Sequence, residues 1–169
     1  MKKMLAWMLA AALLLGMAMP ALAEEELTVQ YATTQSFVDV LVERELKYTL
    51  EGIDENGYEK IRLKMRDNQG NRYDIEFYFG QEQDSCNLRV FGMITYAEKD
   101  LTDVLRAVND LNRKWKFVKF YINENSRTVA AAVDLLFNDT DVGSIVMEGT
   151  LKVNRILKDG FSVLNAYNQ

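Results

Sequence analysis

The stretch VNDLNRKWKFVKFYINENSRTVAAAVDLLF, residues 108–137, decides the fold. Val108, Leu111, Asn112 and Trp115 fall at spacings of three and four, which places them on one stripe of a helix. After Trp115 the period drops to two. Val118, Phe120 and Ile122 share a face, a polar turn NENS follows at 123–126, and Val129, Ala131, Val133, Leu135 and Phe137 alternate again. That is a hairpin. A helix that runs into a hairpin buries its stripe against the sheet it enters, which makes an α+β architecture. Asn112 is the odd member, a polar amide on the inner face of the last turn. Carbonyls in a last turn lack intrahelical partners. The expectation is that the Asn112 amide bonds those carbonyls or the backbone of the next strand and fixes the corner. Trp115 is expected to bury its rings beside it.

Working outward, the helix begins near Asp100. The segment NLRVFGMITY, 87–96, reads as a strand with two apolar faces: Leu88, Val90 and Ile94 on one, Phe91 and Met93 on the other. A strand apolar on both faces is interior or covered. Upstream, EKIRLKMRD (59–67) and RYDIEFYFG (72–80) alternate cleanly and form a hairpin. A loop at Gln69-Gly70-Asn71 is expected to set Arg66 across from Asp74 and Lys64 across from Glu76. Residues 36–50 read as a first helix with Ser36 as N-cap and Asp39 completing a capping box. A last helix starts after Asp141 and holds its stripe for more than six turns. Gly149 and Gly160 lie on that stripe, and close packing against a sheet explains them. The predicted order is α-β-β-β-α-β-β-α around an antiparallel sheet.

The first 23 residues are expected to be a signal peptide. Lys2 and Lys3 precede an uncharged apolar run, and Ala21-Leu22-Ala23 fits a small-x-small cleavage site. Residues 24–33 read as a lead-in and 34–169 as one domain. Loss of Lys2 and Lys3 would leave 18 basic and 25 acidic residues, a net charge of −7 in place of −5. An acidic chain is a poor partner for nucleic acid or anionic lipid, which need a basic face. The single cysteine, Cys86, reads as a bystander, and it is too far from the signal to carry a lipid at its cleavage site.

The second half resembles the YbjN domain. The resemblance covers about residues 34–165 and is carried by Asn112, Trp115, Phe117 and the turn approach Tyr121–Asn123. Lys116 and the segment NDTDVG (138–143) depart from the family pattern. That family is similar in fold to the type III secretion chaperones, small acidic proteins that dimerise and hold unfolded segments of partners. Its members are described as regulators of sensory transduction. The resemblance implies a binding or regulatory module, type III secretion chaperone-like in fold, with no assigned reaction.

The composition narrows the chemistry. With no histidine and one cysteine, His-based nucleophile systems and one-chain Cys or His zinc sites are excluded. No phosphate-cradling glycine motif occurs, and neither DENG (54–57) nor NDTDVG meets the calcium-loop pattern. No cofactor and no catalysis are expected. The alternative is an extracytoplasmic hydrolase using a carboxylate pair about 5–9 Å apart. Phe91, Met93, Phe117, Tyr121, Ala130, Ala132 and Leu136 fall opposite the main alternating set. They are the candidate surface for a protein partner or a second copy of the chain. Asn112 and Trp115 are assigned structural roles.

The protein recovered from its own cells should begin at Glu24, without a membrane span, placing it in the periplasm, the cell envelope or the medium. Intact-mass measurement checks this. Full-length chain in the membrane fraction would make the segment an anchor.

Overall fold

The computed structural model describes residues 27–67, 69–138 and 141–169. The expected signal peptide lies outside the described residues. The elements are α1 (Ala32–Glu43), β1 (Tyr48–Ile53), β2 (Glu59–Arg66), β3 (Arg72–Phe79), β4 (Ser85–Thr95), α2 (Leu101–Lys114), β5 (Lys119–Asn123), β6 (Thr128–Leu136) and α3 (Val142–Leu164). The strands form one antiparallel sheet in the order β1-β2-β3-β4-β6-β5. The three helices lie on one face of it and enclose a single core. Phe37 of α1 meets Phe77 and Phe79 of β3 at ring distances of 4.8 and 5.9 Å. Cys86 sits in this core, where burial raises its thiol pKa.

The class is α+β as expected, with one strand more. Residues 36–50 are not one helix: α1 stops at Glu43, and Tyr48–Ile53 is the edge strand β1. The stop is a Schellman motif. Glu45 takes the left-handed conformation (φ 56°), Leu46 N donates to Leu41 O, and Glu45 N donates to Val42 O. Glycine usually holds that position, and glutamate hides it from a sequence reading.

The cap of α1 also differs from expectation. Ser36 lies inside the helix, and its Oγ accepts from Gly143 N at the start of α3. α1 is capped from a distance instead. Glu59 of β2 is fully buried, and its two oxygens accept from Gln30 N (2.6 Å) and Tyr31 N (2.9 Å). Gln83 Oε1 accepts from Ala32 N. A carboxylate at a helix N-terminus is favoured by the helix dipole.

The β2–β3 hairpin keeps the expected parity but not the expected pairing. Lys64 faces Asp74, Arg62 faces Glu76, and Arg66 faces Arg72. The register is set by Asp67, whose Oδ1 accepts from Gln69 N and Asn71 N while Oδ2 accepts from Asn71 Nδ2. That lengthens the loop by two residues and slides the pairing by one pair.

The α2–β5 corner is held by side chains. Asn112 Nδ2 donates to Phe120 O and Asn112 Oδ1 accepts from Phe120 N, each at 2.8 Å. Trp115 is half-buried, not enclosed as expected, because it is the C-cap of α2 at the edge of the core. Its Nε1 donates to Asp159 Oδ2 of α3 at 2.7 Å, and Lys114 Nζ pairs with the same oxygen at 2.7 Å. These bonds, the Lys114 one first, hold the Asp159 carboxyl below its usual pKa against the opposing effect of burial.

The glycines of α3 permit close approach. A Cβ on Gly149 would lie 2.7 Å from Leu135, one on Gly160 2.6 Å from Phe120, and one on Gly143 2.2 Å from the Ser36 carbonyl oxygen. The first two are sheet contacts of the expected kind, and the third sets the crossing of α1 and α3.

Two outcomes follow from these contacts. Glu59→Gln keeps the shape but turns an N–H toward a backbone N–H. It should lose about 1–3 kcal/mol in urea unfolding, and a loss under about 0.5 kcal/mol would mean that water serves those amides. Asp159→Asn should be less stable than the parent by about 1 kcal/mol near neutral pH. A carboxyl whose pKa is lowered on folding contributes above its unfolded value, here 3.8. The gap should therefore close as pH falls through the lower folded value, which urea unfolding at about pH 7 and about pH 2.5 measures.

Candidate functional site

Among the described residues, no helix lies on the second face of the sheet. Period-two alternation and the strand register decide what it shows. Across β1, β2 and β3 it is charged and internally paired. Glu51 Oε2 lies 3.3 Å from Lys60 Nζ, Glu51 Oε1 lies 2.7 Å from Arg62 Nη2, and Arg62 reaches Glu76 at 3.6 Å. Lys60 Nζ stands 5.1 Å from the Tyr78 ring centroid. The Tyr78 hydroxyl donates to Glu76, and burial together with that carboxylate raises its pKa.

Across β4, β6 and β5 the same face turns apolar and small. Ala132 is flanked by Arg89 and Lys119, and Ala130 is paired with Tyr121. Phe91, one residue past the Val90–Ala131 pair, is 52% exposed, and Tyr121 is 37% exposed. Ala130 is 2% exposed. Burial raises the Tyr121 pKa, against a smaller opposing effect of Arg89. Arg89 is fixed by Asp134 Oδ1 and Asn87 Oδ1, both at 3.0 Å.

The seven candidate surface residues therefore separate. Phe91, Tyr121, Ala130 and Ala132 are neighbours on this face. Leu136, 80% exposed, shares the face but pairs with Ser85 at the far end, beyond the Arg89–Asp134 ion pair. Met93 is not on it. Gly92 (φ 61°) lies in a bulge where residues 91–93 of β4 stand opposite Ala130 alone, and the two extra residues turn Met93 under α3, where it is 6% exposed. Phe117 precedes β5 and lies beside α3, with Lys152 Nζ 5.8 Å from its ring.

Where the charged and apolar halves meet there is a cavity of about 290 Å³. Tyr58, Tyr78 and Phe91 supply its rings, and Asn87, Arg89, Asn56 and Asp54 its polar groups. Tyr58 and Tyr78 pack edge to face at 6.2 Å. Tyr58, Tyr78, Asn87 and Arg89 were not among the expected surface residues. The signal for three of them was present, since Tyr78, Asn87 and Arg89 alternate with core positions. Among the described residues, Asp54 is the carboxylate that lines the cavity. Among the described residues no group of three or more His, Cys, Asp or Glu is placed to hold a metal ion, and no helix is long and apolar enough to cross a membrane.

No curated protein and no solved structure matches the chain. A family model described as "Putative bacterial sensory transduction regulator", YbjN, matches residues 63–152. The match runs from within β2 through the first half of α3, so it takes in the α2–β5 corner and most of the bare sheet face. With more than half of its length matched in this way, the chain belongs to the YbjN family.

Proposed function

We propose that this YbjN protein is an exported, non-catalytic binding or regulatory module that meets a protein partner on the bare face of its sheet. The observation that carries the reading is the juxtaposition of Phe91 and Tyr121 with Ala130 and Ala132 on a sheet face that no described helix covers. Exposed aromatics beside small residues offer anchoring area and let a partner's backbone come close. The family's description as a regulator supports the same reading.

A second copy of the chain is the first partner to test, in keeping with the dimeric, chaperone-like resemblance. Acidic copies repel at long range, so association should persist or strengthen when salt screens them. Ala132→Glu is a sound probe, because Arg89 and Lys119 flank the site and accommodate a carboxylate in the free chain. Sedimentation of the native exported protein at low and at about 0.5 M salt should show self-association in both. Ala132→Glu should weaken it by more than about 2 kcal/mol, since it places a charge in an apolar contact. A monomer in the micromolar range under both conditions, or a dimer that Ala132→Glu leaves intact, removes self-pairing through this face.

A further inference from the structure

The α2–β5 corner holds a second surface on the helix side of the molecule. Trp115, Phe117 and Ile156 wall a groove of about 380 Å³, with Lys116, Lys152 and Arg155 around it. The chain as a whole is acidic, with a net charge of −5. Yet among the described residues none of these three cations has a carboxylate within ion-pair distance. The local carboxylate, Asp159, is already engaged by Lys114 Nζ and Trp115 Nε1, both at 2.7 Å. Cations gathered without counter-charges repel one another and raise the local potential. The walls, meanwhile, are held in place: Asp159 fixes Trp115, and Asn112 fixes the strand just past Phe117. The groove is thus positioned before any ligand arrives.

We propose that this groove binds an acidic segment of a partner protein, in which carboxylates and apolar side chains take turns at every second position, all on one face of an extended chain. Lys152 and Arg155 stand about one turn apart on α3, and Lys116 comes from the corner loop. An extended segment sets alternate side chains about 7 Å apart. Its carboxylates can therefore meet the cations while an apolar side chain enters between Phe117 and Ile156. Phe117 is 39% exposed, so a face is open to receive it. Inorganic phosphate would leave the aromatic and aliphatic walls unfilled. Three cations on an acidic chain are a weak hold on an anionic bilayer, where stable attachment takes a larger basic cluster or a second anchor. This site is separate from the bare sheet face and does not depend on what that face binds.

The test is fluorescence polarisation of a labelled peptide in which glutamate and leucine take turns at every second position, with serines between them, added to the native exported protein. Saturable binding is expected, weakening as salt rises from about 0.05 to about 0.3 M. The double variant Lys152→Glu/Arg155→Glu should bind at least about tenfold more weakly. Lys116→Glu, on a different element, should weaken binding in the same direction, so the result does not rest on one variant's folding. Ala132→Glu should leave the peptide's affinity unchanged, which separates this groove from the sheet face. Phosphatidylglycerol vesicles should not carry the protein down on sedimentation. The proposal is overturned by a peptide that does not bind at about 1 mM, or by binding that both groove variants leave intact. Loss of binding in Ala132→Glu, or vesicle attachment that Lys152→Glu/Arg155→Glu abolishes, overturns it equally.

Discussion

Glu59 is the buried charge around which the helical layer is arranged. A carboxylate with no exposure is costly unless its oxygens are bonded. Both oxygens of Glu59 are met by the backbone amides of Gln30 and Tyr31. That pins the chain entering α1 to the start of β2, and α1 then has little choice of direction. Its axis lays Phe37 on Phe77 and Phe79 and brings Ser36 to the first turn of α3. At that crossing a Cβ on Gly143 would collide with the Ser36 carbonyl. One carboxylate on β2 thus helps to set how two helices share one sheet face.

Side chains from outside an element repeatedly bond the backbone groups that its local structure leaves over. Glu59 and Gln83 serve α1, Ser36 serves α3, and Asn112 serves β5. Local capping signals fail for this reason. The Ser36–Asp39 pattern reads as a capping box, yet Ser36 caps a helix 107 residues away. The end of α1 is equally hidden, because glutamate occupies a left-handed position that glycine would advertise. β1 was absorbed into a predicted helix as a result.

What periodicity controls was legible. The faces of β2, β3 and β6, the α2 stripe and the α3 glycines follow from spacing alone, because a slip of one residue would expose an entire apolar set. Pairing within a face was not fixed by parity, and Asp67 chose it through its loop bonds. The candidate surface shows the same division. Tyr121, Ala130 and Ala132 follow from alternation. Met93 was misplaced by the bulge at Gly92, which a glycine inside a strand does signal. Phe117 was misplaced because the strand begins at Lys119, two residues later than its pattern suggests. The basic groove could not be read at all, since it assembles Lys116 with Lys152 and Arg155 across a tertiary contact.

The Asn112 amide also bears on what the sheet does not do. β5 is an edge strand, and both polar backbone groups of Phe120 point away from β6 toward the space a seventh strand would fill. An exposed edge of this kind is a template for another chain. Asn112 presents one donor and one acceptor at strand-like spacing, and so stands in for the missing neighbour. At the other margin the register shift between Leu50 and Gly52 breaks the regularity of β1. The sheet is closed to growth at Phe120 by a single amide. Any partner of the bare face is thereby directed to the side chains of the sheet and away from its rim.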